Sequence, residues 1–177
     1  MAVISWGKPQ ILIGAANPTV GTSNFNFYNL ATPAEDTTNL TATQGDKTEA
    51  TIEGGEAEAT KYKAATFELT MNVRMAKDRT LPTPMYNSST DTGYASTVSV
   101  VLIPEDPEAP GFFCPECSLS IIESYTSADG AMWEITLNPV KPSTGSLKAV
   151  NWRTITATEG TSANAGKYAV TMESIWD

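Results

Sequence analysis

Between residues 66 and 75 the chain alternates strictly. Phe67, Leu69, Met71, Val73 and Met75 are apolar, and Glu68, Thr70, Asn72 and Arg74 between them are polar. A period of two puts the five apolar side chains on one face, so this segment predicts a strand with one buried face. Residues 97–103 (Thr-Val-Ser-Val-Val-Leu-Ile) are β-branched and almost continuously apolar, the pattern of a strand buried on both faces. Residues 118–125 place Leu119, Ile121 and Tyr125 on one face, and residues 132–137 do the same for Trp133, Ile135 and Leu137. Asp129-Gly130 lies between them as a tight-turn dipeptide, so the two runs predict a hairpin. Shorter strands are predicted at 152–158, at 168–172 and at 9–13, the last ended by Gly14.

Residues 35–63 break this pattern. They carry Glu35, Asp36, Asp46, Glu49, Glu53, Glu56 and Glu58, three glycines and few large apolar side chains. Such a segment buries little surface by itself. It reads either as a long hairpin or arm, spanning 36–61 and ordered by a neighbouring subunit, or as a solvated loop. The proline-rich stretches 81–84 and 104–110 exclude helix interiors and central strands. No long amphipathic helix, internal repeat or sharp change of composition is present, so residues 1–177 read as one domain.

Composition sharpens this into a class. Charged residues are 18 % of the chain, below the roughly 25 % of soluble domains. Threonine, serine, alanine, glycine and asparagine fill the difference, and threonine suits a pleated, half-exposed surface. The net charge of −9 comes without any basic run, which argues against tight phosphate or nucleic-acid binding. The N-terminus has no charged leader followed by an apolar stretch, and no segment approaches the ~20 apolar residues of a membrane helix. Folding in a cytoplasm, without a membrane, is the expectation.

The chemistry-bearing motifs are weak. With no histidine, Ser-His-Asp triads, Cys-His dyads and histidine metal sites cannot form within one chain. Cys114-Pro115-Glu116-Cys117 is a lone CxxC, short of the four ligands of structural zinc, and a strand rather than a helix follows it. It reads as two small residues at a strand entrance, with an inter-subunit metal or disulfide as the alternative. Asp91-Thr92-Gly93 matches the aspartic-protease tripeptide but occurs once, and reads as turn chemistry. Residues 160–167 imitate a phosphate loop with one residue too many, and Tyr168 stands where magnesium needs a hydroxyl ligand. Glu49, Glu53, Glu56 and Glu58 lack calcium-loop spacing and read as a solvated acidic face, as do Glu105, Asp106 and Glu108. No enzyme activity, metal or cofactor is expected. Trp133 is expected in the core, and Trp6 and Trp176 are expected to dock a terminal segment onto the domain or a neighbour.

Three stretches carry a resemblance: Val3-Ile4-Ser5-Trp6-Gly7-Lys8-Pro9, residues 43–56 from Thr43-Gln44-Gly45 to Gly55-Glu56, and residues 125–133 followed by Lys141-Pro142. They resemble the tail tube (major tail) proteins of long-tailed bacteriophages and related prophages of gut bacteria. The resemblance implies a β-sandwich or barrel-like core with a long extended hairpin arm and at most one short helix. It also implies a homo-oligomer, with hexameric rings joined sheet edge to sheet edge. The rings stack into a tube in the virion tail, beside other tail proteins, and DNA passes through without specific binding. The chain would be made in the host bacterial cytoplasm. An acidic wall suits such a conduit, because a basic one would hold DNA by counterion release. No site residues carry over from the family. Asp46, Glu49, Glu53, Glu56, Glu58 and Lys61 are the candidates for assembly or for a lumen. The competing class is a monomeric β-sandwich binding or surface module.

Overall fold

The alternating segment at 66–75 is a strand, and its apolar face is the buried one. Leu69, Met71 and Val73 are fully buried and Phe67 is half-buried. The fold is given by a computed structural model that describes residues 2, 6–87, 93–143 and 145–174. The strands are β1 (Gln10–Gly14), β2 (Phe25–Asn29), β3 (Asn39–Thr43), β4 (Lys47–Thr51), β5 (Ala57–Tyr62) and β6 (Thr66–Arg74). They continue with β7 (Thr97–Ile103), β8 (Gly111–Thr126), β9 (Gly130–Pro139), β10 (Asn151–Glu159) and β11 (Lys167–Ser174). The protein is mostly β, as the pattern predicts. Among the described residues helical structure is confined to two three-residue 3₁₀ turns, Thr83–Met85 and Ser162–Asn164. Among the same residues, no helix is long and apolar enough to cross a membrane.

Nine strands form one antiparallel sheet in the order β10-β11-β2-β1-β7-β8-β9-β6-β3. The sheet closes on itself, because residues 151–153 of β10 also pair with residues 113–111 of β8. Six strands thereby make a barrel, and each sends a side chain inward: Leu12, Phe27, Val101, Phe113, Ile155 and Val170. Phe27 and Phe113 meet edge to face at 6.3 Å, the geometry the ring quadrupole favours. Beyond the barrel, the far half of β8 continues into β9, β6 and β3. This layer packs Leu69, Met71, Val73, Ile135 and Leu137 against the outer face of β1 and β7, where Ile11, Ile13, Val98 and Val100 lie. β7 is therefore covered on both faces, as its unbroken apolar run predicts. Ser99 is its one buried hydroxyl, without a hydrogen-bond partner.

β8 serves both cores by changing parity. Val98 pairs with Cys117 and Val100 with Cys114, so two residues of β8 bulge out opposite Ser99 alone. Pro115 has no N–H to give the ladder, and it sits in this bulge. Its carbonyl accepts the Asn17 N–H at 2.8 Å, and the Glu116 carbonyl accepts that of Val140 at 2.9 Å. The sequence reading placed the cysteines at the entrance of a strand. They lie inside a 16-residue strand. Cysteines three apart in a regular strand would face opposite ways, and the extra residue turns both into the same core.

The β8–β9 hairpin pairs Thr126 with Gly130 and leaves Ser127, Ala128 and Asp129 in the loop. Gly130 takes the left-handed conformation (φ 77°), and the Asp129 N–H is held by Thr126 Oγ1 at 3.0 Å. Trp133 is half-buried at the rim of the core.

Candidate assembly surface

All six residues singled out at 46–61 fall on one structure. β4 and β5 form a separate two-stranded sheet, and every residue from Asp46 to Thr66 is exposed. The ribbon is narrower than the 36–61 span expected from composition. Asn39–Thr43 belong to the main sheet, paired with β6, and Leu40 packs against its core. The composition of 39–43 is polar because this is an edge strand with one side chain turned inward.

Charge is segregated along the ribbon. Asp46 pairs with Lys63 at 3.3 Å and Glu49 with Lys47, and these are the only two ion pairs among the described residues. The Lys47–Glu49 pair follows from strand geometry, since residues two apart share a face. Lys61 lies opposite Thr48. The tip holds Glu53 and Glu56 in a turn closed by the Ile52 N–H donating to the Glu56 carbonyl at 2.9 Å. Gly54 and Gly55 both have positive φ there (103° and 87°), which a side chain would strain. Glu58 is the extra residue where the register slips between Thr51↔Ala57 and Ala50↔Ala59. The structure thus brings Glu53, Glu56 and Glu58 together at a cation-free tip, and leaves Asp46 and Glu49 neutralised at the base.

The main sheet offers two further unpaired surfaces. β3 ends the strand order. On the other side, β7 stops pairing β8 at Ser118, and the Leu119 N–H makes one last bond to the Ser96 carbonyl at 3.0 Å. Residues 120–126 therefore present a strand edge without a described partner strand. Ile122 is 60 % and Tyr125 75 % exposed on it. Both edges were missed in the sequence reading, although Ile122 breaks the alternation of its strand and marks this one.

Cys114 and Cys117 are free and fully buried. Hydrogen bonding with Cys117 and burial push the Cys114 thiol above its ordinary range, which favours an inert thiol. No group of three or more His, Cys, Asp or Glu that could hold a metal occurs among the described residues. Asp91 and Thr92 of the protease-like tripeptide lie outside the described residues, as does Trp176. Gly160–Lys167 contains the second 3₁₀ turn and runs into strand β11, so no helix N-terminus faces it. Tyr94 donates to the Glu123 carboxylate and stacks on Tyr86 at 6.0 Å. Desolvation, reinforced by that bond to Glu123, pushes its pKa up to about 12.

No protein-family model matches the chain, and no curated protein matches it.

Proposed function

We propose that this protein is a structural subunit that assembles with copies of itself into stacked rings, forming a tail tube through which DNA passes. One observation carries the reading: a ribbon of two strands, solvated on both faces, standing off a body with two packed cores. An isolated two-stranded ribbon is at best marginally stable in water, so a partner surface explains its persistence better than its own contacts do. The unpaired edges at β3 and at 120–126 supply a second support. They lie at the two ends of one sheet layer, and a long edge with exposed apolar side chains is a template for pairing. An edge-to-edge contact of unlike surfaces is head to tail, and closes into a ring when its rotation closes. The resemblance of residues 43–56 to tail tube proteins falls on this ribbon.

The role proposed is structural rather than catalytic, and its acidic tip suits a conduit that DNA must not adhere to. The test is sedimentation and negative-stain microscopy of the full chain over a wide concentration range. Rings or tubes are expected. A second variant lacks residues 46–63, so that Gly45 is joined to Ala64. The two backbones already touch, since a methyl group on Gly45 would strike the Lys63 and Ala64 carbonyl oxygens. It is expected to fold and to lose stacking. A full-length chain that stays strictly monomeric at high concentration in several salts would sink the proposal.

A further inference from the structure

A groove and a loop of opposite character lie at the two ends of β1. At one end, Trp6, Pro9, Pro33, Leu102 and Pro104 line an open groove of about 640 Å³, with Glu35 and Asp36 also in its wall. Glu105 stands beside it and accepts the Lys8 N–H at 3.2 Å. Gly7 makes this wall possible. It has φ 87°, and a side chain there would run into the Glu105 carboxylate. Trp6 was expected to dock a terminal segment onto its own domain or onto a neighbour, and at 78 % exposed its ring is left largely open. Three carboxylates (Glu35, Asp36 and Glu105) and one ammonium (Lys8) thus surround an apolar floor with an uncovered indole.

At the other end, the connection between β9 and β10 has the opposite character. Residues 135–158 contain Lys141, Lys148 and Arg153 and no carboxylate. Val140 and Leu147, each immediately before a lysine, are 39 % and 38 % exposed. Ser143 and Lys148 of the connection are tied to the body. Asn17 Nδ2 donates to Ser143 Oγ at 3.2 Å, the Ser143 N–H donates to Glu116 Oε2 at 3.0 Å, and Asn151 Oδ1 accepts the Lys148 N–H at 2.9 Å. Lys8 and Pro9 of the groove lead into β1, and Asn17 follows its end. The two surfaces are therefore separated by about the 17 Å length of a five-residue strand. One copy cannot seat its own loop in its own groove.

We infer that the groove at Trp6 receives the β9–β10 connection of a second copy of this chain, with Val140 or Leu147 against the indole and Lys141 and Lys148 facing Glu35 and Asp36. Charge complementarity selects this occupant over the β4–β5 ribbon, whose tip is acidic and would be repelled by the same rim. The contact joins unlike surfaces and so propagates from copy to copy. It rests on the self-assembly reading and names one of its interfaces.

Charge exchange tests it, read by sedimentation of full-length proteins. One variant carries Glu35→Lys with Asp36→Asn, asparagine being tolerant of the left-handed backbone at 36 (φ 57°). The other carries Lys141→Glu with Lys148→Glu. All four positions are exposed, and unchanged melting temperatures check the folding of each. Each variant alone is expected to associate roughly tenfold or more weakly than the parent. A mixture of the two, or all four changes in one chain, is expected to recover association, because groove and loop are again opposite in sign. Parent-like association by both variants, or no recovery in the folded four-change chain, overturns the groove assignment while self-assembly stands. A parent that never associates overturns both.

Discussion

The barrel with its flanking layer and the β4–β5 ribbon are made of the same secondary structure and differ in everything that holds it. In the body, nearly every strand has an apolar face, and the two-sided strands β1 and β7 have two. In the ribbon no side chain from Asp46 to Thr66 is buried, and the only charge pairs are exposed ones at its base. Exposed pairs contribute little, so the ribbon's hydrogen bonds stand without hydrophobic support. The contrast teaches that strand formation and stability come apart here. The strands of the body are covered, and those of the ribbon are paired but left uncovered.

Substitutions can break or sharpen this contrast. The largest effect is expected in the barrel, where Phe113→Ala removes a fully buried ring that meets Phe27. A loss of about 3–5 kcal/mol in denaturant unfolding is expected, with Leu137→Ala in the second core costing about 2–5 kcal/mol. A matching substitution in the ribbon, Ala50→Asp, is expected to change stability by no more than about 0.5 kcal/mol. A ribbon variant as destabilising as a core variant would show that the ribbon packs on the body in solution. Between these lies Ser99→Ala, which removes a buried hydroxyl with no partner and is expected to stabilise the chain by about 1 kcal/mol.

The smallest effect concerns Tyr94. Its folded pKa of about 12 lies above the ordinary 10, so the folded chain keeps a proton that the unfolded chain releases. This stability is complete below pH 10 and is lost as pH rises through 12. Melting temperatures across that window should fall slightly less steeply for Tyr94→Phe than for the parent. Equal slopes would show that the Glu123 bond is too solvated to matter.

The body was legible in the sequence and the candidate assembly surfaces only partly. Period-two alternation marked β6, β9 and the far half of β8, and the β-branched run marked β7, because burial on one or two faces dictates those patterns directly. β2 was missed. Its Phe-Asn-Phe-Tyr-Asn interleaves aromatic rings with asparagines, residues depleted in strands, and only its pairing with β1 and β11 stabilises it. The acidic composition of 46–61 identified a segment that cannot bury itself. It offered a hairpin as one of two readings but could not fix the register, since no core records it. Nor could it show that 39–43 belongs to the sheet, where a single inward leucine is the whole signal. The Trp6 groove is assembled from three distant stretches of chain, residues 6–9, 32–38 and 102–104, and none of them announces it.

The bulge at Pro115 and Glu116 acts on β8 as a shift of reading frame acts on a message. Before it, even-numbered residues, Phe112 and Cys114, face the second core. After it, odd-numbered residues, Cys117, Leu119 and Ile121, do. Removing one residue there would leave the composition of the strand almost untouched and invert the sense of all that follows. Ser118 and Ser120 would turn into the core, and Leu119 and Ile121 would turn out to water. The length of this one strand is therefore constrained as tightly as its content, and a tolerated deletion within it would have to be matched by an insertion on the same side of Ser118.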